Sequence, residues 1–147
     1  MYRTILIPTD GSDEAEAAGK KGVELAAELG AQVHALHVID PEVGGQPFKL
    51  QRKKEGIEEL REHGLEMTGR IAELAEEAGV DCEQAVEQGK PYEAIVDYAE
   101  ENGLDAIVMG TRGRGNIESF LVGNVTEKVV RTADVPVMTV RKSTRPV

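Results

Sequence analysis

Tryptophan is missing from this 147-residue chain, and only five other aromatic residues occur: Tyr2, Phe48, Tyr92, Tyr98 and Phe120. A core of this composition must be aliphatic, built from Ile, Leu, Val and Ala. Cysteine occurs once, at Cys82, which excludes an internal disulfide framework and suits a reducing compartment. With no His or Asp at a telling spacing, that thiol reads as a small buried hydrophobe. Basic residues are in deficit, 17 Lys and Arg against 27 Asp and Glu, a formal net charge of −10. A field of that sign repels nucleic acids and anionic membranes, so neither is expected as a partner. Any anionic ligand must then be held by a local positive site working against the global field. No apolar run approaches the roughly 20 residues that cross a bilayer. The opening MYRTILIPTD lacks the apolar stretch and small-residue cleavage site of a signal peptide, so a cytoplasmic location is expected. The phosphate-binding pattern Gly-x4-Gly-Lys-Ser/Thr is also missing.

The acid excess lies along helix faces (Asp13, Glu14, Glu16; Glu58, Glu59, Glu62; Glu73, Glu76, Glu77). A solvated face is the default reading there, and life in a salty cytoplasm is an alternative. Thr4 to Pro8 is a short apolar run of the kind buried on both faces of a sheet. Ser12 is an N-cap, with Asp13 and Glu14 complementing the dipole of the helix that follows. Ala15, Ala18, Gly22, Leu25, Ala26 and Leu29 trace its inner face, and Gly30 closes it. Gln32 to Ile39 is a second strand. Asp40 to Leu50, with two prolines and two glycines, is a loop expected to be mobile. Ile57, Leu60, Gly64, Met67, Ile71, Leu74 and Ala78 then recur at helical spacing, a core stripe ended by Gly79. Val80, Cys82, Gln84 and Val86 alternate with acids, the mark of an edge strand or of one solvated face. Pro91 starts the next helix, with Ala94, Ile95, Tyr98 and Ala99 inward and Gly103 as its stop. Asp105 to Met109 is a strand, Asn124 to Thr132 a helix and Val135 to Arg141 the last strand.

Strands alternate with helices throughout, with no repeat or linker. The expectation is one α/β domain over residues 1–147: a five-stranded parallel sheet, helices on both faces, right-handed crossovers. With strand one central, the strand order becomes 3-2-1-4-5. Ligands in such sheets sit beyond the carboxyl ends of the strands, where the order reverses. Here that is between Pro8-Thr9-Asp10 and Met109-Gly110.

Directly after the fourth strand, Gly110, Gly113 and Gly123 form Gly-x2-Gly-x9-Gly, with Arg112 and Arg114 between them. Two glycines at a strand mouth leave backbone N–H groups uncovered. A third opens a helix whose first turn carries unpaired donors and partial positive charge. Such a loop cradles phosphate without a catalytic side chain. Tight turns in a chain with 16 glycines are the bland alternative. Topology and glycine spacing point to the same place.

From ILIPTDGS through HVID to GTRGRGNIESFLVGNVTEKVV and VPVMTVR, the chain resembles the universal stress protein family over nearly its whole length. Its nucleotide-binding branch is marked by Gly-x2-Gly-x9-Gly-Ser/Thr. The resemblance implies a Rossmann-like fold of the adenine nucleotide alpha hydrolase type, ATP binding and a homodimer. Dimerisation would use antiparallel pairing of the strand Val135 to Arg141. It further implies that Pro8, Thr9 and Asp10 line the nucleoside end, with Asp10 toward ribose hydroxyls. Val38 would touch adenine and offer backbone groups to its edge. Met109 would lie against the nucleoside and Gly110 near ribose and α-phosphate. Arg112, Gly113, Gly123, Asn124, Val125 and Thr126 would surround the phosphates.

Each side chain has a plainer role open to it. Asp10 could cap the first helix or its turn, Arg112 and Arg114 could be solvated loop charges, and Thr126 could be a first-turn residue. Asn124 departs from the Ser/Thr of the family pattern. Backbone phosphate binding should survive that change, but terminal-phosphate geometry is altered, so ADP or AMP would compete with ATP. A Mg²⁺ or Mn²⁺ would arrive on the nucleotide rather than at a dedicated metal site. His34 and His37, read as neighbours on one face of the second strand, indicate packing, and His63 is solvated. No side chain announces itself as a general base. A nucleotide-dependent regulatory or stress-response protein is the leading reading. A slow ATP hydrolase and an interaction module without nucleotide are the alternatives.

Overall fold

The computed structural model describes residues 2–41, 53–111 and 124–142, with the side chains of 53–55 and 124 excepted. Five strands, β1 (Thr4–Pro8), β2 (Gln32–Ile39), β3 (Cys82–Gln88), β4 (Ala106–Gly110) and β5 (Val137–Val140), form one sheet in the order β3-β2-β1-β4-β5. Every neighbouring pair is parallel. The helices among the described residues are α1 (Asp13–Leu29), α2 (Lys53–Glu77), α3 (Pro91–Glu101) and α4 (Asn124–Thr132). The fold is the Rossmann-like α/β arrangement with the expected strand order.

Strand alternation divides the core in two. Ile5, Ile7, Val33, Ala35 and Val108 pack with Val23 and Ala26 of α1 and with Ile71 and Ala75 of α2. Leu6, Leu36, Ile107 and Met109 point the other way, onto Ile95, Val96 and Ala99 of α3 and Val129 of α4. Burying each such Ile, Leu or Val contributes about 1.5–3 kcal/mol, so an aliphatic core with few aromatics is sufficient. Helix α1 approaches the sheet closely because Gly22 lacks a side chain. A Cβ there would lie 2.6 Å from Ile7 Cδ1. The helix is capped at its start by Ser12, whose hydroxyl accepts from the Ala15 N–H at 3.1 Å. It ends at Gly30 in the left-handed conformation, φ 67°.

Several expectations need correction. Leu29 is 47% exposed rather than facing the core, and Ala78 is exposed beyond the end of α2. Val23 takes the inward place on α1, since the buried stripe follows the helix around at 3.6 residues per turn. Strand β5 is trimmed at both ends relative to Val135 to Arg141, and β4 runs one residue later than expected. The two edges differ in character. Edge strand β3 exposes Glu83, Glu87 and Gln88, whereas β5 exposes Met138. No helix among the described residues is long and apolar enough to cross a membrane.

Candidate functional site

Strand β1 leaves the sheet at Thr9, and every backbone and side-chain oxygen of that residue is tied down. Its N–H continues the ladder to the Leu36 carbonyl at 2.8 Å. Its carbonyl accepts from His37 Nδ1 at 2.8 Å, and its hydroxyl oxygen accepts the Gly11 N–H at 3.1 Å. Asp10 Oδ1 accepts the Ser12 N–H at 2.9 Å. The result is a side-chain-braced turn that launches α1. Asp10 therefore performs the turn-capping role with one oxygen. Register places Pro8 beside Leu36, so Val38 lies past the last rung shared with β1. Its backbone groups, oriented like those of Leu36 two residues before, point toward the space β1 has vacated.

At the end of β4, Gly110 packs directly on the first turn of α1. A Cβ at this position would stand 2.9 Å from the Glu14 carbonyl oxygen and 3.0 Å from its carbon. Helix–strand packing thus requires this glycine whatever the loop beyond it does. The Gly110 carbonyl accepts the Thr126 hydroxyl at 2.7 Å. That bond, with Thr126 only 9% exposed, clamps the first turn of α4 against the strand end. The first amide groups of α4 have no acceptor within the helix, and the helix dipole adds about half a positive charge there. Glu127, the acid in this turn, is paired with Arg131 at 3.5 Å. Val38 and Val125 pack against the cluster that contains Met109.

Pro8, Thr9, Asp10, Val38, Met109, Gly110, Val125 and Thr126 therefore converge at one end of the sheet, beside the switch between β1 and β4. Arg112, Gly113, Gly123 and the side chain of Asn124 lie outside the described residues, as do Arg114 and the loop from residue 42 onward. The histidines are not neighbours on one face. His34 meets the Tyr98 hydroxyl of α3 at 2.8 Å, while His37 lies against Gly64 of α2 on the opposite face. Three residues along a strand is an odd step, which reverses the side. Cys82 is half-buried at the edge, and burial raises its thiol above the ordinary value, which keeps it protonated and unreactive. No group of three His, Cys, Asp or Glu among the described residues could hold a metal ion. A shallow groove of about 760 Å³ lies between α1 and β5, where Leu25 and Met138 line it, and none of the candidate nucleotide-site residues borders it.

Sequence reasoning missed three contributors: His37, Gly64 and Glu14. Of these, His37 alone carries a signal in the sequence, a polar residue inside the apolar run QVHALHVI.

Residues 1–141 match the model of the universal stress protein family. Universal stress protein MJ0531 of Methanocaldococcus jannaschii is 39% identical over 145 residues, covering 97% of this chain and 84% of its own. The solved structure of MJ0577, from the same organism, superposes with a TM-score of 0.85 at 33% identity, covering 99% of both chains. The structure of the universal stress protein from Archaeoglobus fulgidus in complex with dAMP gives 0.67 at 26% identity, covering 95% of this chain and 98% of that one. With the same sheet order and end-to-end likeness, this chain belongs to the universal stress protein family.

Proposed function

We propose that this protein binds an adenine nucleotide, ATP or ADP, at the carboxyl ends of β1 and β4, and acts as a homodimeric, nucleotide-dependent regulator of the stress response in the cytoplasm. The observation that carries this is the clamp between Thr126 and Gly110, which holds the open end of α4 at the switch point beside the Pro8–Asp10 turn. Anions bind at such helix ends because donors and dipole point the same way. The relative in complex with dAMP supports an adenine ligand.

In this reading the base lies along Val38 and Met109, with base-edge hydrogen bonds to the Val38 backbone. Pro8, Thr9 and Asp10 border the sugar, and Gly110 lies near ribose and α-phosphate. Arg112, Gly113 and the backbone of Gly123, Asn124, Val125 and Thr126 surround the phosphates, and any Mg²⁺ or Mn²⁺ enters with them. The Thr126 hydroxyl donates its hydrogen bond to the Gly110 carbonyl, so Thr126 contributes its amide. One observation favours the rival interaction module: Asp10 Oδ1 and the Thr126 hydroxyl already serve the fold. The dimer would form on β5, the edge lacking charged protection.

Ligand at 100 times its dissociation constant should stabilise the fold by about 2.7 kcal/mol. For a domain of this size that raises the melting temperature by roughly 5–10 °C. Gly113→Val should abolish the shift and Asn124→Ser preserve or strengthen it. No shift with any adenine nucleotide in the wild type, but one in Asn124→Ser, would establish the interaction module instead. Sustained phosphate release at about 1 per second or faster would make it a hydrolase.

A further inference from the structure

We propose that His37 is a positioning residue for the nucleotide, acting on it through Thr9 without touching it; the ligand half of this inference rests on the site reading above. A carbonyl oxygen only accepts, so the 2.8 Å contact between His37 Nδ1 and the Thr9 carbonyl places a proton on Nδ1. The same Thr9 peptide region is held from β2 a second time, through its N–H to Leu36. Two consecutive β2 residues thus grip the point where β1 departs, one with backbone and one with a side chain. Beyond that point the turn is braced by Gly11 on Thr9 Oγ1 and Ser12 on Asp10 Oδ1. The orientation of the Asp10 side chain therefore depends on where the imidazole holds Thr9.

The ring is itself held. On its other side α2 comes close at Gly64, where a Cβ would stand 2.9 Å from His37 Cδ2 and 3.1 Å from Val86 Cγ2. Val86 is a buried β-branched residue of β3 with little freedom to yield. Gly64 sits in the apolar stripe of α2 because the imidazole occupies the place of its side chain. The chain of contact runs from α2 through His37 to the turn that borders the proposed sugar site.

Calorimetric titration with ADP and amide hydrogen exchange at Gly11 and Ser12 test this on four variants of the full chain. His37→Leu should bind ADP about tenfold more weakly, equivalent to about 1.4 kcal/mol, the size of one lost hydrogen bond. It should also exchange the Gly11 and Ser12 amides faster. Asn places its amide nitrogen where Nδ1 stands, so His37→Asn should recover affinity to within threefold of the wild type. Gln extends to the Nε2 position, so His37→Gln should not. Gly64→Ala, pressing the ring from behind, should show the same faster exchange and weaker binding, and it serves if His37→Leu does not fold. Affinity and exchange within twofold of the wild type in both His37→Leu and Gly64→Ala would overturn the proposal, as would rescue by Gln as good as by Asn. If the wild type itself fails to bind ADP, the nucleotide reading falls. The exchange rates then decide alone whether His37 orders the turn.

Discussion

Thr126→Val is the substitution that separates the two roles open to this residue. Valine keeps the shape and β-branching of threonine and replaces only the hydroxyl by a methyl group, so the side chain still fills a position 9% exposed. What is lost is the 2.7 Å bond to the Gly110 carbonyl. Gly110 is buried, so its carbonyl is left without that donor in a dry environment. An unsatisfied buried acceptor costs about 1–3 kcal/mol, more than the net value of an ordinary hydrogen bond. At about 2–4 °C per kcal/mol for a chain of this length, the unliganded protein should melt about 2–12 °C lower. Thr126→Ser retains the hydroxyl and should recover most of that loss, less the burial of one methyl group. Differential scanning fluorimetry without nucleotide measures the first effect, and titration with ATP the second. An unliganded Thr126→Val melting within 1 °C of the wild type, combined with lost ATP affinity, would refute the reasoning. The hydroxyl would then belong to phosphate rather than to the strand end.

Gly110→Ala should lower stability by about 1–3 kcal/mol in urea unfolding, because its Cβ meets the rigid backbone of Glu14 at 2.9 Å; an unchanged midpoint would mean that α1 yields freely. Met138→Asp should abolish the proposed β5-to-β5 dimer and leave a monomer in light scattering, because Met138 is 47% exposed on an edge strand and the charge would be doubled across the two-fold axis of that dimer. Asp105 accepts from the Arg3 and Thr4 N–H groups and the Thr4 hydroxyl through one oxygen, and the Arg3 bond in first place holds its carboxyl below the usual range. Its folded pKa lies below its unfolded one, so its contribution is complete above the ordinary carboxylate value and lost as pH falls through the folded one. Asp105→Ala should therefore melt lower than the wild type at pH 7, and the gap should start to narrow below about pH 4 and close as pH falls through the lower folded value. At a net charge of −10, melting temperature should rise between dilute buffer and 1 M KCl, where the Debye length is about 3 Å; a fall would remove the case for self-repulsion.

The sheet order was legible because it follows from local signals. Continuous apolar runs at Thr4–Pro8 and Gln32–Ile39, helical stripes between them, and caps at Ser12, Gly30 and Pro91 each declare their element within a few residues. Alternation then restricts the topology to a few arrangements. The position of the candidate site followed from the same order, since the switch point is a property of connectivity. Element ends were less legible: β5 loses residues at both ends because its neighbour β4 offers partners only from Ile107 to Gly110.

The role of individual polar atoms required the tertiary structure. By itself the sequence determined the strands, the helices, their order and the end of the sheet that carries the candidate site, because hydrophobic period and turn chemistry act over short stretches. Only tertiary structure decided that Gly110 makes room for Glu14, that the Thr126 hydroxyl is spent on Gly110, and that His34 and His37 serve opposite faces. Those contacts join residues 16 to 96 positions apart, and a hydrogen bond or a close approach across such a separation leaves no periodic trace along the chain.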